Sequence, residues 1–180
     1  TSSAASDVYK RQELYKFFEK QLKNCVDKKI LLSLHLKASM MKVSDPIIFG
    51  HMLKVYFKDF ILNNKKILSD LNVNFNSGLS ILYEKIESLE KDEKNRITKE
   101  MENIFLSSAE IAMVDSEKNI SNFHVPSDLI IDASMPAMIK SSGKMWNRNG
   151  ELKDTKAIIP DSTYASIYQA TIDFCKQKGA

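Results

Sequence analysis

The chain has 180 residues, of which 43% are hydrophobic and 27% charged, with only 5 Gly and 4 Pro. That length suits one domain or a piece of a larger one, and the composition excludes disordered, collagen-like and low-complexity classes. A formal net charge of +3, scattered along the chain, gives no electrostatic footprint for nucleic acid. No apolar run approaches the roughly 20 residues of a membrane span, and no signal peptide is visible. Cys25 and Cys175 lie in helical patterns without CxxC spacing, so they read as reduced thiols in a cytoplasmic setting.

Residues 1–12 (TSSAASDVYKRQ) read as a non-native leader, because DVYKRQ resembles translated sequencing-adapter read-through; fold reasoning begins at Glu13. From Glu13 to Lys28, Leu14, Phe17, Phe18, Leu22, Cys25 and Val26 recur at helical spacing. Ile30 to Leu36 reads as a strand, with Ser33, His35 and Lys37 on one face and Leu32, Leu34 and Leu36 on the other. Ser44-Asp45-Pro46 opens a helix with a capping residue and an early proline. Its apolar stripe runs from Phe49 through Met52, Leu53, Tyr56 and Phe57 to Phe60 and Ile61.

Residues 63–102 are rich in Lys, Asn and Glu. Leu79, Leu82, Tyr83 and Ile86 mark one helix there, and Ile97, Met101, Ile104 and Phe105 mark another. The charges from Glu87 to Arg96 read as a solvated surface and connection. Ile111 to Val114 is a short strand candidate. Met135 to Ser142 reads as a helix closed by Gly143, and Asn149-Gly150 marks a hairpin turn within Lys144 to Ile159. A last helix starts at Pro160-Asp161 and buries Tyr164, Ile167, Tyr168, Ile172 and Cys175. Strands alternating with helices predict an α/β fold of βα units around a mostly parallel sheet.

Two stretches of similar build carry the candidate chemistry. Leu31 to Met41 runs an apolar strand into Lys37-Ala-Ser-Met40, and Leu129 to Ile131 runs another into Asp132-Ala-Ser-Met135. A charge at a strand end is costly to desolvate unless a partner meets it, and α/β folds bind ligands at such ends. Lys37 and Asp132 are therefore expected to face one cleft. His35, His51 and His124 have no metal-ligand spacing and read as hydrogen-bonded structural residues. Ser39 and Ser134 lack a nucleophile-elbow context, and no GxGxxG or GxxxxGK[ST] loop occurs. The residues alone leave a metal-dependent enzyme and a non-catalytic interaction or regulatory module both open.

The strings LLSLHLKASMMKVSDPIIFGH, EIAMVDSEKNISNFHVPSDLIIDASMPAMIKSSGKMW and GELKDTKAIIPDSTYASIYQATIDFCKQKGA resemble monomeric-type NADP-dependent isocitrate dehydrogenase. The resemblance is close over residues 30–60 and 110–180. It implies an isocitrate/isopropylmalate dehydrogenase-like fold, incomplete here, with residues 13–180 a fragment of the large second domain. It places Lys37 on the family's catalytic lysine, which handles the proton of the substrate C2 hydroxyl. Asp132 falls on a carboxylate that binds Mg²⁺ or Mn²⁺. The implied reaction is NADP-dependent oxidative decarboxylation of isocitrate to 2-oxoglutarate and CO₂, in a monomeric parent enzyme of the tricarboxylic acid cycle. The other metal carboxylates, the substrate serine segment, the catalytic tyrosine and the NADP contacts do not map onto this stretch. Tyr164 takes no catalytic role, and the chain alone is expected to be inactive. The first rival is a non-catalytic interaction or regulatory module that keeps the fold, and the second a metal-dependent dehydrogenase of another hydroxy acid.

Overall fold

The computed structural model describes residues 2–35, 44–124, 134–159 and 165–179. Helix α1 (Ser2–Lys28) leads into strand β1 (Leu31–Leu34). The helical segment continues through α2 (Ser44–Tyr56), α3 (Lys58–Asn63), α4 (Lys65–Asp70), a 3₁₀ turn (Phe75–Ser77), α5 (Leu79–Ile86) and α6 (Lys91–Ser107). Then come β2 (Met113–Asp115), β3 (Ile120–Ser121), α7 (Ser134–Lys140), β4 (Lys144–Trp146), β5 (Leu152–Ile158) and α8 (Ala165–Lys178).

Helix α1 extends N-terminally beyond Glu13, through the stretch expected to be a leader, and residues 4–12 are exposed along it. Its stop is a Schellman turn: Ile30 N–H donates to Cys25 C=O at 3.1 Å and Lys29 N–H to Val26 C=O at 3.1 Å. Lys29 takes the left-handed position at φ 54°, where glycine is the usual occupant. Ile30 and Cys25 pack in the same core, which offsets part of that strain and turns the chain into β1.

The sheet order is β1-β5-β4-β2-β3. Among the described residues β1 and β5 pair parallel, whereas β5 with β4, β4 with β2 and β2 with β3 pair antiparallel. The mostly parallel sheet expected from the βα alternation is therefore not what the described strands form. The reason is local. Asn147 to Glu151 closes a hairpin, with Asn147 Oδ1 accepting from the N–H groups of Asn149 and Glu151, both at 2.9 Å. Gly150 sits at φ 75°, and so short a loop joins only antiparallel strands. On its other edge β1 meets the run leading into β2: Leu32 N–H donates to Glu110 C=O and Ala112 N–H to Leu32 C=O, each at 2.9 Å. The sheet thus curls until its far part touches its first strand.

All residues of β1 are buried, as expected of a strand covered on both faces. Leu32 and Leu34 enter the large core with Phe18, Phe49, Leu53 and Phe57. Leu31, on the opposite face, joins a smaller cluster with Ala112, Met135, Met138 and Met145. The α2 stripe is buried from Phe49 to Phe60 as its spacing requires, and Tyr56 stacks edge-on against Phe123 at 5.1 Å. Helix α7 ends at Lys140, two residues short of the expected Ser142; Ser142 takes the left-handed position at φ 58° and Gly143 follows it at φ 79°, donating to Met138 C=O at 2.8 Å.

Helix α8 departs from its expected burial. Tyr168, Ile172 and Cys175 are half-buried and, with α7, line one groove. Ile167 is 62% exposed, as is Phe174. Ile167 sits one helical step off that stripe. No helix among the described residues is long and apolar enough to cross a membrane.

Candidate functional site

Lys37 and Asp132, the A-S-M triplet after Lys37 and the run Leu129 to Ile131 lie outside the described residues, as does Tyr164. What the structure describes is the frame from which those segments depart. Strands β1 and β5 end together, with Leu34 opposite Ile158 and His35 N–H donating to Ile158 C=O at 2.9 Å. On the opposite edge Asn122 Oδ1 accepts the N–H of Leu34 at 2.6 Å, and Asn122 Nδ2 donates to its C=O at 3.1 Å. Residues 36–43, 125–133 and 160–164 therefore each begin within three residues of a group bonded to the end of β1. This is the C-terminal end of a parallel strand pair, where α/β sheets place ligands.

The turn after β3 is fixed by its own polar groups. His124 Nδ1 accepts the N–H of Ser121 at 2.9 Å, and its ring stacks on Tyr83 with centroids 5.3 Å apart. Burial, and to a lesser degree the nearby Arg148 cation, lowers the His124 pKa. The neutral ring thus accepts at Nδ1 and carries its proton at Nε2. Ser121 Oγ lies 3.0 Å from Nδ1, yet the pair is no activated nucleophile: the Nδ1 lone pair already takes the Ser121 N–H, and Ser121 Oγ accepts from Phe123 N–H at 3.3 Å. The carbonyls of Phe123 and His124 accept the N–H groups of Leu79 and Ser80, both at 2.9 Å, so they cap the start of α5.

The other histidines are also held by hydrogen bonds. His35 is buried and its Nε2 lies 2.5 Å from Ser33 Oγ. His51 Nδ1 meets Tyr15 OH at 2.9 Å, and burial followed by the Lys54 and Arg11 charges lowers its pKa. Among the described residues no group of three His, Cys, Asp or Glu side chains is placed to hold a metal ion. The described donors therefore do not make a cation site by themselves, and no metal chemistry is assigned to them.

The concave surfaces of the described residues differ in character. A cavity of ≈ 20 Å³ between Tyr83, Ser121, His124 and Arg148 has room for about one water. A groove of ≈ 450 Å³ beside the end of α1 carries Lys29, Arg148 and Lys153 over an apolar floor. Arg148 is paired with Glu102 at 3.7 Å and lies 4.8 Å from the Phe105 ring centre, and Lys153 is bound by Glu110. A third groove, of ≈ 520 Å³ between α7 and α8, is walled by Met135, Ile139, Tyr168 and Ile172. None of the three gathers unpaired cations around a polar floor, as a polyanionic substrate needs.

Sequence reasoning passes over Asn122. The one sign of it is an asparagine in Ser-Asn-Phe-His between apolar runs, which marks a turn but not the strand the side chain serves.

The family model described as "Monomeric isocitrate dehydrogenase" matches residues 4–180. The chain is 48% identical over 169 residues to the isocitrate dehydrogenase (NADP) 2 of Mycobacterium tuberculosis, covering 94% of this chain and 23% of that protein. It is 44% identical over 175 residues to the corresponding protein of Colwellia maris, covering 97% of this chain and 24% of the relative. To the isocitrate dehydrogenase (NADP) of Azotobacter vinelandii it is 43% identical, again over 97% of this chain and 24% of the relative. The chain thus spans about a quarter of the length of the curated relatives it matches. With the family matched over almost its whole length, the chain belongs to the monomeric isocitrate dehydrogenase family.

Proposed function

We propose that this chain is a segment of the large second domain of an NADP-dependent isocitrate dehydrogenase, which oxidises isocitrate to 2-oxoglutarate and CO₂. The observation that carries the reading is identity of 43–48% to relatives so named, sustained over at least 94% of the chain. Lys37 takes the proton-handling role at the substrate C2 oxygen, and Asp132 that of a metal-ligating carboxylate. Their support is the resemblance of their surrounding strings, and β1, whose last residue stands three before Lys37, ends beside β5 as an α/β ligand edge requires. Asp132, with oxygen ligands from elsewhere in the enzyme, would hold a divalent cation, which would supply Lewis-acid charge to the reaction. NADP contacts belong to the remainder of the enzyme. The fold is proposed to be isocitrate/isopropylmalate dehydrogenase-like and the setting cytoplasmic, the latter supported by the free thiols of Cys25 and Cys175.

The test is a full-length hybrid in which this chain replaces the matching quarter of the Mycobacterium tuberculosis relative. Reduction of NADP by isocitrate with Mg²⁺ or Mn²⁺ is expected, and this chain alone should reduce none. A folded hybrid that turns over a different hydroxy acid in preference, or no substrate, overturns the proposal.

A further inference from the structure

The edge of β1 not covered by β5 is held in two ways. Leu32 turns its N–H and C=O toward that edge and meets backbone, Glu110 C=O and Ala112 N–H, each at 2.9 Å. Two residues on, Leu34 presents the same pair of groups, but the neighbouring chain has already turned away into β2. There the side-chain amide of Asn122 takes the place of a peptide unit, accepting at 2.6 Å and donating at 3.1 Å. The Asn122 N–H in turn donates to Ala112 C=O at 2.8 Å, so the residue is anchored to the strand it replaces. A carboxamide offers a donor and an acceptor on one planar group, which a carboxylate does not.

We propose that Asn122 is a positioning residue for the dehydrogenase chemistry, clamping the end of β1 to the turn from which residues 125–133 depart. One amide thereby ties Leu34, the last strand residue before the stretch holding Lys37, to the turn that precedes the stretch holding Asp132. The inference rests on the roles given to Lys37 and Asp132 above. Lys37 follows Leu34 by three residues, so at most about 11 Å of chain separates the two. Misplacement of a catalytic group by about 1 Å is enough to cost around 10²-fold in rate.

The experiment uses the full-length hybrid with Asn122→Asp, Asn122→Gln and a control, Asn64→Ala, whose side chain bonds Phe60, Glu100 and Arg96 and has no bond to β1. Asn122→Asp sets a carboxylate oxygen against the Leu34 carbonyl. Its kcat is expected to fall at least about tenfold near pH 8, with the KM for NADP within about twofold of the parent. As pH is lowered toward 5 the protonated carboxyl regains a donor, and kcat should recover relative to the parent profile. Asn122→Gln keeps both groups but moves them by one methylene, and is expected to fold with a lowered kcat and no such recovery. Asn64→Ala should lose stability and keep its kcat. An Asn122→Asp or Asn122→Gln kcat equal to that of the parent overturns the proposal, as does an equal loss in Asn64→Ala. A hybrid parent that fails to turn over isocitrate overturns instead the functional reading on which the proposal stands.

Discussion

Gly50 in α2 and Asn76 in the 3₁₀ turn lie so close that a β-carbon on Gly50 would stand 1.9 Å from Asn76 Oδ1 and 3.1 Å from its Cα. The side-chain oxygen can swing away, but the backbone contact cannot be relieved by a rotamer. Gly50→Ala gains about 1 kcal/mol of helix propensity and meets an overpacking cost of about 1–3 kcal/mol. The expected net effect is a loss of roughly 1 kcal/mol, read as a lower urea midpoint with an unchanged slope. Adding Asn76→Gly should restore part of that loss; a stabilised Gly50→Ala would show that the 3₁₀ turn moves freely against α2.

Asn64 joins α3 to α4 and is 1% exposed. Its Nδ2 donates to Phe60 C=O and Glu100 Oε2, both at 2.9 Å, and its Oδ1 accepts from Arg96 at 2.9 Å. Asn64→Ala is expected to cost about 1–3 kcal/mol, the range for buried hydrogen bonds left unmade. Glu100→Ala should cost less, because that carboxylate is partly solvated and also pairs with Arg96 at 3.3 Å. A double variant no worse than Asn64→Ala alone would show the three side chains acting as one unit, measured by the same denaturation.

The two partly buried histidines set a pH dependence. Burial, the larger cause for both, lowers the pKa of His51 and His124 from 6.5. Below that value the unfolded chain takes up protons that the folded chain resists, so stability is full above pH 6.5 and falls as pH drops toward the lowered folded values. The denaturation midpoint should be lower at about pH 5.5 than at about pH 7.5, and His51→Gln with His124→Gln should flatten the difference. Asp115, lowered from 3.8 by hydrogen bonds and charge from Lys118, acts in a separate, more acid window: its contribution is present above 3.8 and lost as pH falls through the folded value. An unchanged slope between pH 7.5 and 5.5 in the double variant would place the effect on other groups.

How much of this was legible in the sequence follows from the range of each interaction. Ser44-Asp45-Pro46, Gly143 and Asn149-Gly150 act through a few neighbouring residues, and α2, α7 and the β4–β5 hairpin stand where those residues predict. The stripe from Phe49 to Phe60 was equally plain, because burial follows the helical period. The curled sheet was not legible, since it depends on Ile111 reaching Leu32 across some eighty residues. No local pattern announces that a turn asparagine will serve as a strand. Helix α4 was missed because its single buried residue, Leu68, makes no stripe. Ile167 looked buried because a helix pattern names an apolar face without saying how wide the neighbouring surface is. For the candidate site, the sequence offers more than the described structure does: Lys37 and Asp132 rest on their surrounding strings, while the structure supplies the frame of Leu34, Asn122 and Ile158.

Lys37 and Asp132 should fail in different ways when altered in the full-length hybrid. Lys37→Met removes the ammonium that handles the proton and keeps an unbranched apolar stem, so no metal ligand is lost. Turnover should drop by at least about 10²-fold, the usual cost of removing a positioned acid or base, and added metal should not restore it. Asp132→Asn keeps shape but removes a negative charge that a hard divalent cation requires. The metal concentration needed for half-maximal rate should rise sharply there, and excess Mn²⁺ or Mg²⁺ should recover part of the rate. Steady-state turnover titrated with either metal, for both variants beside the parent, separates the roles. Rescue of Lys37→Met by metal, together with indifference of Asp132→Asn to it, would reverse the two assignments, because only a lost ligand is answered by mass action on the metal.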